Sequence, residues 1–372
     1  MGQIYIFLLL TAVYLFSYML SIYDENWARY SHVARIGYYL YCLAVIVRAI
    51  VFAKRVDAYE AFLFIYLFVY VALLLFHGDF DFSALNSVIY FPLVSLCFSF
   101  LLKGKRVLME DDMRSISQVV LFFLSVNLIF FLYNIFSLGV TSGLVINTIY
   151  FTVTSAIFAL FLRSFFIKIA VVSALMSVCL AVGKGAPFLA LMVVAFFLVW
   201  EFMFKNGSSA VKISSFLVFL VALTLLALMS IGYLDKIDFS ILSSGRTGLY
   251  ARVLGDIYET NLSELFFGHG FNGVAEKYGY SSHNDFLEVI YNFGLVGLIL
   301  YISIYLYMVF HIGGNFKRSK QGALYPLLSV FLVFFTLSSV SHLIFIPSYS
   351  VYIYLALLVC IRLGKGREYS VS

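Results

Sequence analysis

Apolar residues in this chain come in long runs, not at the spacing of a surface helix. The runs lie near 3–22, 36–53, 58–77, 83–102, 116–138, 143–162, 165–182, 186–203, 212–234, 286–310, 323–345 and 348–363, and each holds few charges. A helix needs about 20 such residues to cross the hydrocarbon core of a bilayer. The pattern therefore predicts an all-α, polytopic integral membrane protein with about 12 transmembrane helices. No internal repeat or Pro- or Ser-rich linker divides it, so residues 1–372 read as one membrane domain.

Composition supports this reading. The chain is 63% apolar and 12% charged, with mean hydropathy +1.01, whereas soluble domains carry about a quarter charged residues. A secreted disulfide scaffold, a disordered chain and a nucleic-acid binder are excluded. The lipid bilayer is the expected partner. Cys42, Cys97, Cys179 and Cys360 all lie inside apolar runs without a CxxC pair, which points to neither a metal site nor a disulfide framework. The first run continues to about Tyr23 with no basic leader and reads as a span, not a cleaved signal.

Basic residues set the expected orientation, because Lys and Arg accumulate in cytoplasmic connections. With the N-terminus inside, cytoplasmic segments hold sixteen of the 24 basic residues and external segments hold seven; Arg48 lies within a span. The external seven are Arg29, Arg35, Lys184, Lys236, Arg246, Arg252 and Lys277. Both termini are thus expected in the cytoplasm. One connection stands out on the external side: residues 235–285, between the ninth and tenth runs. Long connections of this kind disproportionately carry function.

Within that loop, Thr247 can cap a helix beginning at Gly248, with Leu249, Val253, Ile257 and Leu265 on one face and Arg252, Asp256 and Glu259 on the other. Such a helix is too polar to span and suits the membrane surface. Arg252 and Asp256, four apart, have the spacing of an ion pair. Arg246, in Ser243-Ser244-Gly245-Arg246-Thr247, has no such partner, and its guanidinium fork suits a phosphate. Lys184, in a tight turn before Pro187, either snorkels to headgroups or joins that anion site.

Further along, Ser282 and Asp285 have capping-box-like spacing, which predicts that the tenth span starts there. His283 would then lie in the first turn of a helix entering the membrane. The positive end of the helix dipole favours an anion nearby and the neutral form of the imidazole, suited to accept a proton from an alcohol. The bland alternative is that His283 hydrogen-bonds its own loop. Gly294 and Gly297 would allow another helix to approach closely. His269 and His342 are expected on the same external side. No metal-type spacing links the histidines.

Taken together, Gly183-Lys184-Gly185-Ala186, Ser244-Gly245-Arg246, Leu265-Phe266-Phe267-Gly268-His269-Gly270 and His283-Asn284-Asp285-Phe286-Leu287 leading to Phe293-Gly294-Leu295-Val296-Gly297 resemble the O-antigen polymerase and O-antigen ligase superfamily of bacterial envelope glycosyltransferases. The resemblance covers roughly residues 170–310. It implies a membrane-embedded glycosyltransferase (GT-C-like) architecture in the bacterial inner membrane, acting at the periplasmic face on undecaprenyl-diphosphate-linked glycan as donor and acceptor. It further implies no cofactor, no metal, and a chain-length regulator as protein partner.

Carried over, His283 and Arg246 are the catalytic residues. Lys184, Arg252, Asn284, Glu288, His269 and His342 are the candidates for binding the diphosphate or the acceptor. Many members have arginine where Lys184 stands, so its charge is kept and the bidentate grip is not. Two other readings remain open: a ligase that transfers the glycan to lipid A–core, and a non-enzymatic polytopic transporter. Against the transporter, the charges gather in one external loop and the halves of the chain are unlike.

Overall fold

A computed structural model describes residues 2–23, 26–52, 56–79, 82–103, 110–138, 149–150, 153–154, 156–162, 164–182, 185–206, 246–317, 321–340 and 346–366. Every described element is helical. The first five are α1 (Gly2–Tyr23), α2 (Asn26–Val51), α3 (Ala58–His77), α4 (Phe82–Lys103) and α5 (Glu110–Leu138). A short 3-10 turn at Ala156–Phe161 leads to α6 (Phe165–Val182) and α7 (Gly185–Asn206). Three small helices follow, α8 (Arg246–Glu259), α9 (Leu262–Phe267) and α10 (Gly273–Tyr278). The chain then forms α11 (Asp285–Lys317), α12 (Gln321–Val340) and α13 (Pro347–Gly366). The tenth to twelfth apolar runs coincide with α11, α12 and α13; the ninth run lies outside the described residues, as do 143–148, 151, 152 and 155 of the sixth.

The protein is a helical membrane protein in its broad character. Among the described residues, four helices are long and apolar enough to cross a bilayer, at Asn26–Val51, Ala58–His77, Ala84–Lys103 and Asp285–Phe310. Shorter apolar helices cover Gly2–Tyr18, Phe165–Cys179, Ala186–Trp200, Pro326–Ser339 and Val351–Cys360. α4 is the central element, 83% buried over its apolar window. It packs on α2, α3 and α13, and α12 joins α7, α11 and α13. Aromatic rings fill the interior: the Phe91 ring of α4 lies tilted 3.9 Å from Tyr354 of α13, which meets Phe334 of α12 edge-on at 5.5 Å. Rings of this size bury much apolar area with few rotatable bonds.

The second helix corrects an expectation. It begins at Asn26, ten residues before the apolar run at 36, so Arg29 and Arg35 are helical, not part of an external connection. Arg35 is buried and hydrogen-bonds Nδ1 of His32, with Tyr14 and Tyr18 of α1 close by. An imidazole contact inside the helix thus holds a charge that a hydropathy pattern reads only as a break.

The larger correction concerns α11. Its sequence predicts one continuous span, but Gly294 has φ 63° and ψ −164°, which interrupts the helix. In an unbroken helix, residues sixteen apart are separated by about 24 Å along the axis. Here the Tyr301 hydroxyl donates to Oδ2 of Asp285 over 3.0 Å, and Phe286 lies 5.4 Å from the Tyr301 ring. The limb 285–293 therefore folds back along the limb 295–317. The second limb alone is about 34 Å long at about 1.5 Å per residue, enough to cross a bilayer.

Contacts with α3 set the depth of this fold. The Tyr70 hydroxyl donates to the Gly297 carbonyl over 3.1 Å, and Tyr59 stacks on Tyr307 at 4.8 Å, so the second limb runs antiparallel to α3. Gly294 thus lies near the His77 end of α3. Asp285, bonded to Tyr301, lies about two helical turns further in. The chain enters the bundle before it starts α11.

Candidate functional site

The site is built around the return of the chain at 279–294. A helix break leaves carbonyls without their i+4 donors; those of Tyr291 and Asn292 are the ones that the break at Gly294 frees. They are taken up by the glycine-rich turn after α9: His269 N–H donates to Tyr291 O at 2.9 Å and Gly270 N–H to Asn292 O at 3.0 Å. Gly268 (φ 84°, ψ −169°) and Gly294 both adopt a backbone conformation that essentially only glycine reaches. The turn is held from the α3 side as well. Asp79 Oδ2 accepts from Phe271 N–H at 2.7 Å, and His77 Nε2 donates to Phe267 O at 2.9 Å. Asp79 and His77, at the end of α3, thus clamp the glycine-rich turn, a role that their sequence did not signal.

Asn292 links this turn to the foot of the limb. Its Oδ1 accepts from Val274 N–H at the start of α10 (3.2 Å), and its Nδ2 donates to Glu288 Oε2 (3.3 Å). Glu288 Oε1 accepts from the Ser282 backbone N–H. Ser282 Oγ donates to the Asn284 carbonyl (3.0 Å) and accepts from its N–H (3.2 Å). Asp285, Glu288 and Asn292, spaced i, i+3, i+7, are all buried. That stripe on an otherwise apolar run was the available signal for Asp285 and Asn292, which sequence reasoning missed as site residues.

Asn284, not Ser282, caps α11. Its Oδ1 accepts from Phe286 N–H (3.0 Å) and Leu287 N–H (3.2 Å), while its Nδ2 donates to Ser339 O (3.0 Å), pinning the cap to α12. His283 therefore precedes the cap and does not lie in the first turn. It is half-buried, with φ 55°, a left-handed conformation unusual outside glycine. Both its neighbours are fixed by side-chain hydrogen bonds, so the imidazole leaves a rigid point of the backbone.

Below it, Tyr301 joins three groups. A phenol has one proton and a carboxylate only accepts, so Tyr301 gives its proton to Asp285 and accepts from Ser338 Oγ at 2.7 Å. The Tyr305 hydroxyl lies 3.2 Å away.

The helix α8 has the predicted buried face, with Leu249, Val253 and Ile257 packed beside Val274, Tyr278, Leu287 and Tyr291. It begins at Arg246, two residues before the expected start, and Leu265 belongs to the separate helix α9. The expected Arg252–Asp256 pair is replaced. Asp256 pairs with Lys277 at 2.6 Å and accepts from the Tyr278 hydroxyl. Burial works to raise the Asp256 carboxyl, but these two hydrogen bonds outweigh it and hold it below its usual value. Burial, with Asp256 as acceptor, pushes the Tyr278 phenol up to about 12. Arg252 lies 5.3 Å over the Tyr278 ring and donates to the Tyr280 hydroxyl at 3.2 Å.

These contacts give a register: Asp256 beside 277–278 and Arg252 beside 278–280. The Arg246 side chain, and all of Lys184 and His342, lie outside the described residues. His269 lies apart from His283, its ring 4.4 Å from Tyr291 and its Nε2 3.5 Å from Thr260 Oγ1. Partial burial lowers the His269 pKa, aided by Lys277 and His77 and opposed by Glu264 and Asp256.

Neither a protein-family model nor a curated protein matches the chain.

Proposed function

We propose that the chain is a polytopic glycosyltransferase of about 12 spans that polymerises undecaprenyl-diphosphate-linked oligosaccharide repeats at the extracytoplasmic face of the bacterial inner membrane. The observation that carries this reading is His283: a left-handed histidine between two anchored neighbours, at the foot of a limb folded back into the bundle. Non-glycine residues in such conformations cost about 1–3 kcal/mol and cluster at functional sites. Two of the segments behind the family resemblance, 265–270 and 293–297, also meet at the break in α11.

In the reaction, His283 takes the proton of a sugar hydroxyl on the acceptor repeat. The hydroxyl oxygen attacks the anomeric carbon of the donor glycan, and the bond from that carbon to the diphosphate oxygen breaks. Undecaprenyl diphosphate leaves with the electron pair, stabilised by Arg246 with Lys184 as second cation. The diphosphate bond supplies the driving force, and the proton passes from His283 to water.

Deletion of the gene in its host, with surface polysaccharide resolved by size, tests this. The expected result is collapse of the ladder to core plus one repeat, restored by the native gene and not by His283→Ala. Loss of all capped core with lipid-linked polymer accumulating indicates transfer to core instead, and an unchanged ladder refutes both.

A further inference from the structure

We propose that α9 is an interfacial anchor, inserted in the bilayer surface on the side of the α3–α4 turn. Two exposed apolar residues, Leu262 (75%) and Phe266 (47%), lie one turn apart on it. Its carboxylate, Glu264, turns instead to accept from Thr260 Oγ1 at 2.7 Å. Leu262 and Phe266, with the partly buried Leu265 beside them, form an exposed apolar strip that suits an interface.

Continuity identifies what covers the apolar side. Phe267, the last residue of α9, lies 5.2 Å from Phe76 of α3, and the two segments are tied by the His77–Phe267 hydrogen bond. Phe76 is exposed on the same helix as Ile65, Phe68 and Leu75, and α3 is one of the four membrane-length apolar helices. Ile299, Leu306 and Phe310 are exposed likewise on the adjacent limb of α11. The exposed apolar residues of α3 and α11 thus lead, through Phe76 and Phe267, to the end of α9. A lipid surface is the partner that fits, with Leu262 and Phe266 about 5–10 Å into the headgroup–acyl boundary.

The anchor has a mechanical consequence. Phe266 and Phe267 carry the backbone against which Gly294 rests, and Gly268 follows directly. Lipid contact at α9 therefore fixes the level of the helix break relative to the membrane. This inference requires only that the chain is a membrane protein and stands apart from the catalytic reading.

The test places tryptophan at 262 (Leu262→Trp) in a Trp27→Phe, Trp200→Phe background, with Phe266→Trp as the second probe, in full-length protein reconstituted into phosphatidylcholine vesicles. The expected result is blue-shifted emission, lost to bromines placed high on the acyl chains more than to bromines near their ends, and insensitive to aqueous iodide. Emission quenched by iodide and untouched by bromolipid overturns the proposal. So does emission shielded from both quenchers, which means that protein, such as a second copy of the chain, covers α9.

Discussion

Gly268 rests on the peptide just before Gly294, and Gly294 on the peptide just before Gly268. A Cβ at Gly268 would meet the carbonyl of Asn292 and the nitrogen of Phe293; a Cβ at Gly294 would meet the carbonyl of Phe266 and the nitrogen of Phe267. This reciprocal contact lets the turn after α9 feed its N–H groups into the broken end of the limb 285–293. Alanine at either position adds backbone strain to the collision, so Gly268→Ala and Gly294→Ala should each cost at least about 1–3 kcal/mol. Thermal unfolding in detergent checks this; a midpoint unchanged by both substitutions would mean that the contact does not hold the limb.

The Asp285–Tyr301 hydrogen bond is the second tie between the two limbs. It joins a buried carboxylate to a buried phenol across the fold. Tyr301→Phe should destabilise by about 1–3 kcal/mol. A double-mutant cycle with Asp285→Ala should return a coupling of about 0.5–3 kcal/mol. Additive losses would show that the two side chains act independently and that the fold-back is held elsewhere.

The fold-back explains what the sequence could and could not reveal. Helices were legible because lipid-facing and core-facing positions are both apolar, so hydropathy alone marks α1, α3, α4, α6 and α7, of which α3 and α4 are long and apolar enough to cross a bilayer. The break at Gly294 was not, because Phe293, Leu295 and Val296 continue the apolar run through it and glycine is ordinary in membrane helices. What breaks the helix is a turn twenty-six residues earlier, a tertiary fact. The cap was misassigned for a similar reason. Ser282 and Asn284 are both good capping residues, and the choice falls to Asn284, which reaches the Ser339 carbonyl on α12. Arg35 shows the reverse error: it was read outside the expected span, although it is buried within α2 beside His32.

His283 separates conformation from chemistry. At φ 55°, a glycine loses the strain that any side chain bears, so His283→Gly should be more stable than His283→Ala by about 1–2 kcal/mol. Both should lose polymerisation entirely. Activity retained by the glycine variant would reduce His283 to a conformational element.

His269 gives a pH dependence with a definite sign. Its folded pKa is lowered, chiefly by burial, with Lys277 and His77 adding to the effect and Glu264 and Asp256 opposing it. The unfolded chain takes up this proton near the usual value of about 6.5, so below that pH it binds more protons than the folded state. Stability should therefore be full above about pH 6.5 and fall as the pH drops through the folded pKa. The unfolding midpoint followed on acidification checks this, and His269→Gln should reduce the slope. A midpoint that rises on acidification would contradict the assignment.

The catalytic claim meets its most direct test in purified protein, reconstituted with undecaprenyl-diphosphate-linked repeat units and no nucleotide or metal, with product length and released undecaprenyl diphosphate measured together. The expected result is a glycan ladder with one undecaprenyl diphosphate freed per bond formed, and neither product from His283→Ala or Arg246→Ala. A ladder of native yield from His283→Ala, or no ladder from the native protein, would contradict it.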